Sequence, residues 1–292
     1  MSNVTTESTA LSGGRVPLEA RAGAENFPVA LRILPKTTRR HLYALYHYAR
    51  FVDDLGDEPG AGVTAADRTA TLDAFAAEVR RLYGGQRIQH PVLCALAPTV
   101  VACRLPAGPL LRLIEANRVD QIVTRYPTVE ELVRYCSLSA DPVGELVLHV
   151  FGQAGPARVA LSNRICTALQ VIEHLQDVAE DRRRGRVYLP EADLDRFGVR
   201  DTDLAAATAS STLRAVVRFE AGRAKSWLDA GAPLLTALRG WARVAVGGYL
   251  AGGYATLRAL ERSGYDPLPG APRPRRRDIA TSWLGVMVRS MG

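Results

Sequence analysis

Two groups of carboxylates stand out in the sequence because, within each group, the acidic residues lie four positions apart. Glu173, Asp177 and Asp181 belong to a stretch whose apolar residues recur at helical spacing, and Asp53 and Asp57 end another such stretch. Residues four apart lie on one face of a helix, so the like charges of each group repel one another. A divalent cation would remove that repulsion. Mg²⁺ takes carboxylate oxygens and keeps coordination places for phosphate oxygens.

The presence of both groups favours a binding site over two solvated helix surfaces. A run of charges is usually a solvated surface. For either group alone, we give the solvated surface and the binding site equal weight. Both groups, however, are embedded in apolar sequence, with Tyr46 before the first and Tyr188 after the second. If the two helices face each other, they form an acidic cleft that holds Mg²⁺ ions and, through them, a diphosphate.

The composition is that of a globular chain with an anionic partner. Of 292 residues, 47% are hydrophobic and 23% charged, and the net charge is +7. Aromatic residues do not alternate with basic ones in any compact stretch, so we expect no nucleic-acid partner. No apolar run approaches the roughly 18 residues of a membrane span, and the N-terminus lacks the apolar core of a signal peptide. We expect a cytoplasmic protein, with a peripheral position at the inner face of the membrane left open.

Helical periodicity, without a strand pattern of useful length, predicts an all-α fold with a single main domain. We predict a disordered tail over residues 1–22, a helical domain over 23–266 and a basic, apolar C-terminal segment over 267–292. The predicted helices cover residues 35–56, 64–83, 91–103, 107–126, 128–136, 145–154, 157–184, 211–230 and 233–262.

Local signals refine this outline. Thr128 and Glu131 have the spacing of a capping box, and residues 141–144, Asp-Pro-Val-Gly, predict a break between helices. The glycine pairs at 247–248 and 252–253 predict that a ligand or another helix approaches the last long helix closely.

The C-terminal segment leaves two interpretations open. Arginines at 273 and 275–277 precede an apolar stretch that contains Ile279, Trp283 and Leu284. Such a segment lies on an anionic membrane surface, or it forms a helix that packs on the body of the protein with its arginines solvated.

Three stretches resemble the squalene/phytoene synthase family: residues 44–58, 135–144 and 170–190, the last ending in Gly-Arg-Val-Tyr-Leu-Pro. The resemblance implies an isoprenoid-synthase helical fold with a central cavity, a prenyl diphosphate substrate and an Mg²⁺ cofactor. Within the family, residues 24–30 and 139–144 resemble the bacterial hydroxysqualene synthases of hopanoid pathways. Other enzymes of such a pathway are then candidate partners.

The resemblance and the residue chemistry together predict four sets of site residues. The metal ligands are Asp53, Asp57, Glu173, Asp177 and Asp181. The diphosphate is bound by Arg50, Gln170, Arg184 and Arg186. The catalytic residues are Tyr46, Arg50 and Tyr188, and the cavity is lined by Phe27, Tyr135, Leu138, Tyr249 and Tyr254. No role is assigned to the histidines, because a lone histidine on an apolar helix is more often a hydrogen-bonded core residue.

The chain departs from the family pattern at two positions. Family members usually have Asn where this chain has Glu173, which adds a negative charge and leaves the number of metal ions open. Synthases that condense two prenyl diphosphates commonly have a second Tyr where this chain has Leu138. This difference favours an enzyme that starts from presqualene diphosphate.

The leading hypothesis is therefore an Mg²⁺-dependent conversion of presqualene diphosphate to hydroxysqualene. No dinucleotide-binding fingerprint is present, which favours capture of the cation by water over hydride. The alternative within the family is a head-to-head condensation of farnesyl or geranylgeranyl diphosphate. A third hypothesis, from a different class, is a non-catalytic, membrane-associated partner of hopanoid enzymes.

Overall fold

The computed structural model describes residues 33–57 and 62–289, and over these residues the protein is all-α, as predicted. The predicted tail 1–22, Phe27 and the stretch 24–30 lie outside the described residues. The helices are α1 Lys36–Asp57, α2 Ala65–Tyr83, α3 Pro91–Cys103, α4 Ala107–Val119, α5 Val129–Ser139, α6 Asp141–Val150, α7 Pro156–Gln176, α8 Val178–Arg183, α9 Glu191–Phe197, α10 Asp201–Leu204, α11 Ser211–Gly231, α12 Leu234–Ala237, α13 Gly240–Arg262 and α14 Arg276–Arg289.

Helix α7 lies at the centre of the fold and contacts α5, α6, α11 and α13. Its buried side chains, among them Ile165, Val171, Ile172 and Leu175, belong to the larger of two hydrophobic clusters. The smaller cluster joins α1 to α2, α3 and α4, and Tyr48 at its centre donates a hydrogen bond to the carbonyl oxygen of Leu110 at 2.9 Å. Burial of these apolar faces is the main favourable term that holds α1 and α7 in place.

Three predicted helices are shorter or interrupted in the structure. The helix predicted over 107–126 ends at Val119, because the chain beyond it turns and pairs Thr124 with Val187 through a 2.8 Å backbone hydrogen bond. The helix predicted over 157–184 is interrupted at Asp177, whose backbone (φ −102°, ψ 15°) leaves the helical region. The helix predicted over 233–262 is divided, since residues 238 and 239 have extended backbone.

The structure differs from the prediction at two local motifs. Thr128 precedes α5 but makes no capping hydrogen bond, so the capping box is not formed. The break predicted over 141–144 lies instead at Ala140, and Asp141 to Gly144 form the first turn of α6. Pro142 is tolerated there because the first turn of a helix has no intrahelical partner for its N–H groups.

The C-terminal helix packs on the body of the protein along α13. Met287 and Trp283 lie over Gly247, where an added Cβ atom would come within 3.0 Å of the Met287 sulfur. Arg262 forms an ion pair with Asp278 at 2.8 Å. Of the helices in the described ranges, none is both long enough and apolar enough to cross a membrane.

At Gly144, α6 packs closely against α7. A Cβ atom at this position would lie 2.5 Å from the Cys166 sulfur and also against the Ser162 hydroxyl. We expect Gly144→Ala to lower the free energy of unfolding by about 1–3 kcal/mol, because the two helices must separate to admit the methyl group. Chemical denaturation monitored by circular dichroism measures this change.

Gly108 provides the control for this substitution. It lies near the start of α4, and no atom would lie within 4 Å of a methyl group added there, so Gly108→Ala leaves the stability unchanged or raises it slightly. Equal stability of the two variants would contradict the close packing of α6 on α7.

Candidate active site

A cavity of about 310 Å³ lies between α1, α6, α7 and α13. Its lining residues on α1 run from Asp53 to Leu42, which at 1.5 Å per residue corresponds to about 16 Å of helix. Leu42, Val147 and Tyr249 lie in the apolar part, and charged side chains are confined to one end. The cavity therefore has an acidic end and an apolar body.

The acidic end is formed where α1 and α7 both approach their C-termini. Arg50 and Asp53 of α1 and Gln170 and Glu173 of α7 line this part of the cavity. The prediction that the two acidic helices face one cleft is thus matched by the placement of Asp53 and Glu173. Two helix C-termini add partial negative charge to that of the carboxylates, an arrangement that attracts cations.

Asp53 lines the cavity and its side chain is exposed there, although protein atoms crowd around its carboxylate. Desolvation raises its pKa to about 7, and the neighbouring charges of Asp57 and Asp120 add to the rise. A hydrogen bond from Asn117 Nδ2 at 3.2 Å and the charge of Arg50 oppose it. A cation bound at this carboxylate would have to displace a proton below neutral pH.

The second acidic group lies where the chain passes from α7 to α8. Desolvation raises the pKa of Asp177, and the charges of Asp181 and Glu180 raise it further. The Oδ2 atom of Asp181 is buried without a hydrogen bond in the described structure, and its neighbour His174 Nδ1 is 3.8 Å away. A buried carboxylate oxygen without a donor is a favourable place for a cation.

Asp57 is held by arginines that follow the second acidic group in sequence. Arg186 Nη1 donates to Asp57 Oδ1 at 2.9 Å, and Arg184 lies 3.8 Å from the other oxygen. Gly185 between them has φ +80°, a conformation that glycine adopts without strain, and this turn brings Arg186 back toward α1. Although burial opposes ionisation of Arg186, the negative charges around it hold its pKa above the usual value.

An aromatic cluster lies behind the acidic end. The ring of Tyr188 stacks on His174 with centroids 3.7 Å apart, and Tyr126 stacks on its other side at 5.7 Å. Asp120 accepts hydrogen bonds from the hydroxyls of Tyr135 at 2.8 Å and Tyr188 at 3.4 Å. The ring and hydroxyl contacts fix Tyr188, and with it the adjacent Arg186.

Asn117, Asp120 and His174 therefore contact predicted site residues, although their sequence context predicted no role for them. Asn117 bonds Asp53, Asp120 bonds Tyr188, and the ring nitrogen of His174 lies 3.3 Å from the amide nitrogen of Gln170. The sequence shows only that these three polar residues lie within otherwise apolar helices. That pattern indicates that they are buried, but it does not identify the residues that they contact.

Three residues predicted to line the cavity lie elsewhere. Tyr135 is directed to Asp120, Leu138 packs into the larger hydrophobic cluster, and the hydroxyl of Tyr254 donates to Asp229 at 2.7 Å. Tyr46 and Tyr249 do line the cavity. Helical spacing determines which residues share a face but not which of two neighbouring faces meets the cavity.

The five predicted metal ligands do not form a complete metal site by themselves, and of these five only Asp53 and Glu173 line the cavity. Among residues 33–57 and 62–289, no group of three or more His, Cys, Asp and Glu side chains is arranged to hold a metal ion by itself. Mg²⁺ is usually held by one or two carboxylates, with water and substrate phosphates completing its octahedron. The unpartnered Asp181 oxygen and the separate Asp53 carboxylate fit that mode of binding.

Comparison with solved structures identifies the class of protein. The squalene synthase HpnC from Alicyclobacillus acidocaldarius is 43% identical, with a TM-score of 0.75 over 82% of this chain and 88% of that one. A dehydrosqualene synthase in complex with a ligand has a TM-score of 0.81 over 93% of this chain and 94% of that one, at 23% identity. The fold is therefore the isoprenoid-synthase helical fold.

Sequence comparison then identifies the family. The squalene/phytoene synthase family model matches residues 20–280, and the chain belongs to this family. A phytoene synthase of Mycobacterium tuberculosis is 34% identical over 74% of this chain and 70% of its own length. A hydroxysqualene synthase of Zymomonas mobilis is 35% identical over 70% of this chain and 67% of its own length.

We expect Mg²⁺ binding at Asp53, a predicted metal ligand, to depend on pH because the pKa of this carboxyl is raised. Because the free carboxyl is half protonated near pH 7, we expect the affinity for Mg²⁺ to fall as the pH is lowered through that value. Near pH 6 binding should release up to about one proton, and at pH 8.5 almost none. Calorimetric titration with Mg²⁺ in two buffers of different ionisation enthalpy measures the number released. An equal, small release at both pH values would contradict this assignment.

Proposed function

We propose that the protein converts presqualene diphosphate to hydroxysqualene in an Mg²⁺-dependent reaction of hopanoid biosynthesis. The observation that carries the proposal is the location of residues 139–144, the stretch most like hydroxysqualene synthases. Ser139, Ala140 and Val143 of this stretch line the cavity. The 43% identity to the squalene synthase HpnC and the hydroxysqualene synthases among the relatives support it further.

The acidic end of the cavity is the proposed diphosphate site. Asp53, Asp57, Glu173, Asp177 and Asp181 would hold Mg²⁺, which neutralises the leaving diphosphate and acts as a Lewis acid. Arg50 and Gln170 line the same end and would bond phosphate oxygens. Arg186 and Arg184, which now neutralise Asp57, would bind the diphosphate by charge-assisted hydrogen bonds.

The apolar body would hold the hydrocarbon chains and the carbocation. Leu42, Val147 and Tyr249 offer no strong nucleophile, so the cation can rearrange before water reaches it. The ring of Tyr46, one turn before Arg50, lies near the site of ionisation, and a cation–π contact with it is worth about 0.5–2 kcal/mol.

The proposed reaction balances without a redox partner. The C–O bond to the diphosphate breaks and the electron pair leaves with the diphosphate. The cyclopropylcarbinyl cation rearranges, a water oxygen bonds to the resulting allylic cation, and the departed diphosphate accepts the proton. Leu138 is partly buried against the larger hydrophobic cluster and does not line the cavity, so the preference for this reaction over a condensation rests on residues 139–144 rather than on Leu138.

Product analysis tests the proposal directly. We expect the protein, incubated with Mg²⁺ and presqualene diphosphate but no nicotinamide, to give a C30 alcohol that gas chromatography–mass spectrometry identifies. Asp177→Asn should lower the rate by roughly 100-fold or more, because it removes a metal-binding charge without changing the shape of the side chain.

Asp195→Asn on the exposed side of α9 is the matched control and should retain the activity. If the amount of presqualene diphosphate does not fall during the incubation, the proposal is contradicted. Turnover of farnesyl or geranylgeranyl diphosphate in its place would identify a condensing synthase, the activity that the phytoene synthase relatives suggest.

We further propose that α14 lies on an anionic membrane surface. It exposes Leu284 and Val288 at 55–62% of their surface and Ile279 and Trp283 at 36–38%, although Trp283 also contacts α13 at Gly247. Exposed arginines at 275–277 stand at its N-terminal end, where they can contact anionic headgroups. A C30 alcohol is nearly insoluble in water, so a bilayer next to the enzyme would receive the proposed product.

Vesicle sedimentation tests the membrane proposal. Leu284 is 62% exposed, and we expect Leu284→Glu to weaken binding to phosphatidylglycerol vesicles about tenfold, because the charge must leave the bilayer. Ile122→Glu, at an even more exposed apolar residue (81%) far from α14 in sequence, should bind as the wild type does. Equal binding of all three proteins, or none to any vesicle, would contradict the proposal.

A further inference from the structure

The segment between α13 and α14, residues 263–275, crosses the end of α7 next to the second acidic group. We call it the C-terminal connector. Near its start, the buried carboxylate of Asp266 accepts a hydrogen bond from the Ala209 amide at 3.0 Å and pairs with Arg214 at 2.5 Å. Near its end, Gln176 Nε2 donates to the carbonyl oxygen of Pro272 at 2.5 Å. The connector is therefore fixed to the body at two points.

The second of these points places Arg273 beside the acidic end of the cavity. Gln176 is 3% exposed and immediately precedes Asp177, so its bond to Pro272 brings the next residue of the connector to the end of α7. The charge of Arg273 interacts with the Asp177 carboxylate, and the Arg273 side chain is otherwise exposed. Arg273 thus belongs to a different segment of the chain from Arg186, and it acts on a different carboxylate.

The two arginines have corresponding positions. Arg186 forms an ion pair with Asp57 of the first acidic group, and the charge of Arg273 acts on Asp177 of the second from a greater distance. In each case a guanidinium offsets the charge of a carboxylate that we propose as a metal ligand. A bound Mg²⁺ would offset the charge of the carboxylate instead. The guanidinium would then be free to bind the anion that the metal holds.

We infer that Arg273 is a diphosphate-binding residue, supplied to the site by the C-terminal connector. The inference rests on the proposed function, since it assumes a diphosphate at the acidic end. A guanidinium presents a planar fork of N–H donors that matches phosphate oxygens, and its flexible side chain needs only a rotamer change to move from carboxylate to phosphate.

A purely structural role for Arg273 makes a different prediction. A cation beside the C-terminus of α7 also stabilises the helix dipole, typically by about 0.3–1 kcal/mol. In that case loss of the charge would lower the thermal stability but leave the affinity for diphosphate unchanged. The measurement must therefore report ligand binding and stability separately.

Calorimetric titration of the full chain with inorganic diphosphate, in the presence of Mg²⁺, separates these cases. We expect Arg273→Gln to bind diphosphate about tenfold more weakly than the wild type, and Arg273→Lys to recover most of the loss. Arg275→Gln removes the same charge from an exposed position of the same connector, and it should bind within about twofold of the wild type. Thermal unfolding of each variant without ligand gives the stability.

Each outcome has a definite meaning. Equal diphosphate affinities of Arg273→Gln and the wild type would overturn the inference, with or without a change in unfolding temperature. An equal loss in Arg273→Gln and Arg275→Gln would also overturn it, since it would show a general effect of net charge. If the wild type itself binds no diphosphate with Mg²⁺, the proposed function fails at its own site, and the comparison of variants is not needed to show it.

Discussion

Repulsion among carboxylates at the acidic end of the cavity is the constraint around which this structure is arranged. Asp53, Asp57 and Asp177 lie near the C-termini of α1 and α7, where the helix dipoles add to their negative charge, and Asp181 follows in α8. Without a metal ion, arginines from distant parts of the chain offset this charge: Arg186 across a glycine turn and Arg273 from the connector. The free energy of folding alone would favour fewer acidic residues here.

The rest of the fold holds this unfavourable arrangement in place. Buried apolar faces fix α1 against α4 and α7 against α11, so the helices cannot move apart to relieve the repulsion. Buried polar contacts set the finer geometry, as with Asn117 on Asp53 and Asp120 on Tyr188. Under the proposed function, a cation that enters this site would stabilise it, and a rigid site of this kind suits repeated binding and release of a metal-bound anion.

The sequence predicts most of the fold because helical periodicity reports which face of each helix is buried. It also predicts that two acidic helix ends meet, since like charges at spacing four destabilise a helix unless a cation lies between them. It misses features that depend on contacts between distant residues. Helix α4 ends at Val119 because Thr124 pairs with Val187, and Tyr254 turns from the cavity because Asp229 accepts its hydrogen bond. The role of Asp120 is likewise set by residues far away in sequence.

Because the long helices that form the cavity walls run parallel, the position of a residue along its helix corresponds to a distance from the charged end. Tyr249 lies near Cys166 and Gly253 lies against Leu169, so α13 runs in the same direction as α7. The three long wall helices, α1, α7 and α13, thus all run from the apolar body toward the charged end, and each turn covers about 5.4 Å. A side chain at a given turn stands at a set distance from the diphosphate site. Selectivity for hydrocarbon length can therefore change by single substitutions, in steps of one helical turn, without any change at the charged end.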